Sequence, residues 1–209
     1  TSNTGTLTFN PGVTNQTISI AIIDDLLDEP AENFTILLFN SNNATILDDT
    51  GVGNITDNDP AAGITISDET ELENVGNMDF TVYLQVPSGQ TVTVDWTALP
   101  NTALHPGDYT SNSGTLTFTP GVTNQTIAIV ITDDAINEAI EDFSIVLSAP
   151  VNGNIVDGTG VGTITDNDGP PALVVSDEDE LEDVGNMIFD VDLTSPSALT
   201  VTVDWVALP

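Results

Sequence analysis

The sequence predicts an all-β protein built of tandem immunoglobulin-like, seven-stranded antiparallel β-sandwiches, and three observations carry that prediction. The chain repeats itself, its apolar residues alternate over short runs, and Pro and Gly clusters separate those runs with no helical period between them. TSNTGTLTFNPGVTNQTISI begins at Thr1 and returns at Thr110 as TSNSGTLTFTPGVTNQTIAI, which fixes a period of 109 residues. Asp24 and Asp25 map onto Asp133 and Asp134, and TGVGNITDND at Thr50 maps onto TGVGTITDND at Thr159. The VTVDW ending at Trp96 maps onto the VTVDW ending at Trp205, so the register never slips.

The period divides the chain into residues 1–59, strands D to G of one module; 60–168, a complete module; and 169–209, strands A to C of the next. In the complete module the alternation predicts strand A at 63–67, B at 78–86, C at 91–97, D at 114–118, E at 124–132, F at 142–148 and G at 160–165. PSGQ at Pro87, TPGVT at Thr119 and NGN at Asn152 supply the turns. Trp96, Phe80, Phe118 and Phe143 are the aromatics expected between the sheets. The chain is nine residues short of two full periods, the counterpart of 101–109. An excerpt from a continuous array accounts for this; so does exchange of strands between like chains in a filament, each completing the other's split module.

Charge is the anomaly. The chain carries 33 Asp and Glu, no Lys, no Arg and one His, for a formal net charge of -33. Nucleic acid and anionic membrane surfaces are repelled by such a chain, and no apolar run is long enough to insert into a bilayer. With no Cys there are neither disulfides nor thiolate metal sites.

Strand parity places most of these acids together. In an antiparallel sandwich the A–B, C–D and E–F loops and the end of G share one pole. Asp68, Glu69, Glu71 and Glu73 fall in A–B, Asp108 in C–D, Asp133, Asp134, Glu138, Glu141 and Asp142 in or beside E–F, and Asp166 and Asp168 after G. Asp157 alone falls at the other pole, with Asp79 and Asp95 inside strands. Two like charges about 4 Å apart repel by about 4 kcal/mol at an effective dielectric near 20, so the pole needs neutralising. No basic side chain exists to do it. A hard cation with oxygen ligands remains, and Ca2+ suits a carboxylate set of flexible geometry better than Mg2+.

DYTSNSGTLTFTPGVTNQTIAIVITDDAINEAIEDFSIVLSAP followed by GVGTITDND resembles the Calx-beta domain, found in sodium–calcium exchangers and repeated in large bacterial surface proteins. GDY, GTLTF, PG, DD followed by ExxE, and a closing acidic tail carry the resemblance across the whole period. It implies an immunoglobulin-like sandwich with calcium held at one end by Glu73, Asp108, Asp133, Asp134, Glu138, Glu141, Asp166 and Asp168. In the first partial module the matching acids are Asp24, Asp25, Glu29, Glu32, Asp57 and Asp59, and in the last Glu182. The tail departs from the family by carrying Asn58 and Asn167 at its middle, which removes one charge from each.

The expected function is a calcium-binding structural repeat, a semi-rigid stalk or filament segment of a secreted or cell-surface protein that contacts neighbouring modules of its array. Gly169-Pro170-Pro171 makes a short, stiff connection between modules. Two other functions remain open. One is an adhesive module binding a cell-surface or glycan ligand through 150–159, where the copies differ most; the other is an accessory domain of a secreted hydrolase. The chain itself reads as no enzyme: His105 has no nucleophile beside it, and 5% aromatic content is too little to line a sugar cleft.

Overall fold

The structure, a computed structural model, describes residues 3–182 and 185–209. The chain divides into two compact units, Thr1–Pro60 and Ala61–Pro209.

In the first unit, β1 (Glu32–Leu37) and β2 (Thr50–Ile55) form an antiparallel pair that sets Phe34 opposite Gly53. Residues 5–9 and 14–23, the D and E counterparts, form no ladder. In a complete module D pairs with C and E with B, and this unit contains neither partner.

The second unit holds a complete sandwich. β3 (Ala62–Ile66), β5 (Asn77–Leu84) and β8 (Asn124–Val130) build one sheet, joined at its edge by β10 (Gly153–Ile155). The other has the order β4 (Glu69–Leu72), β11 (Thr159–Thr165), β9 (Glu141–Val151), β6 (Val92–Pro100), β7 (Ser113–Phe118). All seven predicted strands are present, as β3, β5, β6, β7, β8, β9 and β11. The pairing is antiparallel except at two short edges, β10 with β3 and β4 with β11. Both extra strands arise from segments expected to be loops: β4 from A–B, and β10 from 150–159, the stretch where an adhesive surface was expected.

Strand A changes sheets at Ser67 and Asp68. Ser67 N–H donates to Thr81 O at 3.0 Å, still in the first sheet, and Val161 N–H donates to Asp68 Oδ1 at 2.7 Å, already in the second. β12 (Leu173–Val175) and β13 (Val191–Leu193) then pair Leu173 with Leu193, repeating Ile64 with Leu84 one period on.

Alternation decides what is buried. β3, β5 and β8 bury every second residue, so Ile64, Met78, Phe80, Val82, Ile127 and Ile129 face Val92, Val94, Phe118, Phe143 and Ile145 of the other sheet. Phe80 meets Phe143 edge to face across the sheets, centroids 5.8 Å apart, and Tyr109 stacks on Phe143 at 4.4 Å. Tyr109, fully buried, belongs to this core; Trp96 does not reach its centre. The indole lies over Gly114, its cross-strand partner on β7, and stays half-buried at the edge.

Gly162 makes room for the Phe143 ring, since a Cβ there would lie 2.6 Å from Phe143 Cζ and 2.8 Å from Met78 Sδ. Gly162→Ala should therefore destabilise the module by about 1–3 kcal/mol through overpacking, and Phe143→Ala by about 3–5 kcal/mol through the cavity it leaves. Urea unfolding midpoints check both, with Trp96→Ala expected to cost less than Phe143→Ala.

Candidate metal centre

Strand register brings the acids together. β4 and β11 run parallel with Leu72 beside Thr165, so the residues that follow, Glu73 and Asp166, emerge side by side at the same end. Glu73 opens a 3-10 turn, Glu73–Val75, and is 4% exposed. With Asp166 and Asp168 it forms a triad whose carboxylate oxygens lie within 4.8 Å of one another. The tail is held in place: Asp166 accepts from Asp168 N–H at 3.0 Å, from Glu138 N–H at 3.0 Å and from Asn137 Nδ2 at 3.0 Å.

Asp108, Glu138 and Glu141 form a second triad within the same limit. Asp108 arrives from the loop between β6 and β7, which is tied to the end of β8 by Thr132 N–H donating to Asp108 O at 2.9 Å. His105, though exposed, organises this loop by accepting Ser111 N–H on Nδ1 at 3.1 Å. Asp134 turns the loop after β8, accepting Ile136 N–H at 2.7 Å, and its charge acts on both Glu73 and Glu138. Asp133 is exposed, 3.4 Å from Asn167 Nδ2.

Some acids assigned to this pole lie elsewhere. Asp68, Glu69 and Glu71 sit on or just before β4, alongside β11, because this part of the A–B connection is a strand, and it is Glu73, the residue after the strand, that reaches the end. Asp142 stays at this end but outside both triads, anchoring residues 101 and 102 at the start of the β6–β7 loop by accepting from Thr102 Oγ1 at 2.6 Å and Asn101 Nδ2 at 3.1 Å.

The first unit repeats the arrangement 109 residues earlier. Asp57 accepts Glu29 N–H at 3.1 Å as Asp166 accepts Glu138 N–H, and Asp25 accepts Leu27 N–H at 2.9 Å as Asp134 accepts Ile136 N–H. Asp24, Asp25, Glu29, Glu32, Asp57 and Asp59 line one cleft of about 200 Å³. Glu182 is exposed, and among the described residues no acidic triad includes it.

Crowding shows in the ionisation. Burial, the Asp166 charge and the close Asp168 carboxylate push the Glu73 carboxyl up to about 7. Burial and Asp108 push Glu141 up to about 7. Glu138 is raised by burial and by Asp134, Asp108 and Asp166, while Glu29 is raised chiefly by Asp25. Asp166 moves the other way: burial opposes its charge, but the N–H groups of Asp168 and Glu138 and the Asn137 amide hold it below the usual carboxylate range.

Glu73 Oε1 and Asp168 Oδ2 are buried with no hydrogen-bond partner. Buried polar oxygens without partners are rare and costly. These oxygens lie in an all-carboxylate set that suits a hard cation of oxygen preference, so the residues present fit Ca2+.

The sequence profile of the Calx-beta domain matches residues 1–70 and 57–168. The extracellular matrix organizing protein FRAS1 of Mus musculus is 28% identical over 196 residues, 88% of this chain and 5% of that protein. The adhesion G-protein coupled receptor V1 of Danio rerio is 30% identical over 194 residues, 79% of this chain and 3% of that protein. The chain thus spans only a few per cent of the length of these relatives. A solved apo-form Calx CBD1 domain aligns at a TM-score of 0.49 with 25% identity, covering 52% of this chain and 100% of that one. With both matched segments running through the acidic loops just described, the chain belongs to the Calx-beta domain family.

Proposed function

We propose that the chain is a calcium-binding structural repeat that forms a semi-rigid stalk or filament segment of a large extracellular or cell-surface protein. One observation carries the metal assignment: the buried carboxylate of Glu73, lacking a partner for Oε1, sits against Asp166 and Asp168 in a chain without any Lys or Arg. Cations at both triads would supply the positive charge that the sequence does not. The extracellular setting is supported by relatives described as a matrix organizing protein and an adhesion receptor. Those relatives are animal proteins; a bacterial surface protein, as the sequence resemblance suggested, has no support among them. Rigidity is supported by the Gly169-Pro170-Pro171 connection, too short and too proline-rich to act as a loose tether.

Extracellular modules commonly bind calcium at about 10⁻⁴ M, so 10 mM is about a hundredfold excess and adds about 2.7 kcal/mol. That corresponds to a rise in Tm of about 10 °C over the chelated protein. A rise under about 2 °C would falsify the assignment. Glu73→Gln separates metal binding from packing because its two effects have opposite signs. It should raise the Tm of the chelated protein at pH 8 by removing a buried charge, and it should remove most of the gain from calcium.

Protons and calcium compete for the same oxygens. Glu73 and Glu141 titrate near 7 in the fold against an ordinary 4.5, so between those values the folded state binds more protons than the unfolded state. Without metal, stability should therefore fall as pH rises from 4.5 to 7 and stay low above it. With calcium the trend should reverse, because binding requires the ionised acids. Paired melts in chelator and in calcium across pH 5 to 8 check both signs, and parallel curves would contradict the competition.

A further inference from the structure

Asn137 occupies the loop between β8 and β9, immediately before Glu138. Its side chain reaches into the acidic end of its own module: Nδ2 donates to Asp166 Oδ2 at 3.0 Å and to Asp168 O at 3.2 Å. The same residue also holds the next module. Asn137 O accepts from Ala198 N–H at 3.0 Å and from Ser197 Oγ at 3.2 Å, and Asn137 Oδ1 lies 3.4 Å from Ser197 Oγ. Residues 137 and 197 form an isolated parallel bridge, and Ser197 Oγ in turn accepts Leu199 N–H at 3.1 Å. Both partners are half-buried.

A short linker alone leaves rotation about its ends; a second attachment point removes it. We propose that the Pro196–Leu199 turn of the following module docks on Asn137 as a second joint beside the linker, and that Asn137, by also holding Asp166, couples this joint to the cation site. The coupling half rests on the calcium reading above; the joint does not. Coupling of this kind is reciprocal: whatever affinity the docked turn lends the cation, the cation lends the docked turn.

The repeat contains its own natural variant. One period earlier, Pro87-Ser88 stands where Pro196-Ser197 stands, but Asn137 is replaced by Asp28, which has no amide to donate. A carboxylate beside Asp166 would repel it where the amide holds it, so Asn137→Asp should make the joint depend on the cation.

The full chain has no cysteine, so Asp79→Cys on β5 and Asp192→Cys on β13 allow two spin labels at exposed sites, and electron double resonance reads the distance between them. Calcium affinity is measured on the same chains by calorimetry. Ala198→Pro should widen a single narrow distance peak, and Asn137→Ala, which keeps the backbone carbonyl that accepts from residues 197 and 198 and loses only the side-chain contacts, should widen it less. Ala198→Pro touches no acid and removes the N–H donor while stiffening the turn at Ser197, and it should still weaken calcium binding about fivefold, the scale of one hydrogen bond. Asn137→Asp should give a wide distribution in chelator and a narrow one in calcium. Unchanged distances in both Asn137→Ala and Ala198→Pro overturn the joint. Widened distances with calcium affinity unchanged in Ala198→Pro overturn the coupling alone. No calcium binding by the unsubstituted chain overturns the metal assignment and the coupling together, while the distances still report on the joint.

Discussion

Repulsion among carboxylates at one end of each sandwich is the constraint on which the rest of this structure depends. Glu73, Asp166 and Asp168 converge within 4.8 Å, as do Asp108, Glu138 and Glu141, in a chain that contains no permanently cationic side chain. Apolar packing elsewhere has to hold that arrangement. The Phe80, Tyr109 and Phe143 cluster joins the two sheets near this end, and β4 delivers Glu73 to Asp166 by parallel pairing with β11. The fold thus brings like charges close together in a buried setting, and burial, with the neighbouring carboxylates added to it, raises the Glu73 and Glu141 carboxyls.

With calcium bound as proposed, such a design would trade stability without metal for a conditional gain with it. A basic residue at the pole would neutralise it permanently; a divalent cation neutralises it only where calcium is abundant. Backbone N–H groups and the Asn137 amide keep Asp166 ionised and fixed in advance, so little reorganisation would be left for the proposed cation. The buried orphan oxygens of Glu73 and Asp168 are where that gain would be largest.

The architecture was legible in the sequence because it depends on periodicity. Alternation located β5, β6, β7, β8, β9 and β11 to within three residues at each end, and the 109-residue repeat carried the Ile64–Leu84 pair onto Leu173–Leu193. What periodicity missed depends on edges and side-chain size. β4 and β10 are short edge strands with few alternating positions, so they read as loops, and Asp68, Glu69 and Glu71 were carried to the wrong place with β4. Trp96 has the inward parity of its strand, yet its indole spreads over Gly114 at the sheet edge. Tyr109 gave no pattern of its own beyond the GDY motif, since it lies outside any strand. Of the acids, alternation and parity put the members of both triads at one end, and the structure brings each triad within 4.8 Å, but which acid is buried is a three-dimensional fact: Glu73 differs from its neighbours only by the register of β4 against β11.

A crystal structure of the chain grown in millimolar calcium tests the central claim most directly. The account predicts anomalous density enclosed by the Glu73, Asp166 and Asp168 carboxylates, with oxygens at about 2.3–2.6 Å from its centre. Carboxylates splayed toward solvent around ordered water alone, at full calcium occupancy of the crystal medium, would contradict it.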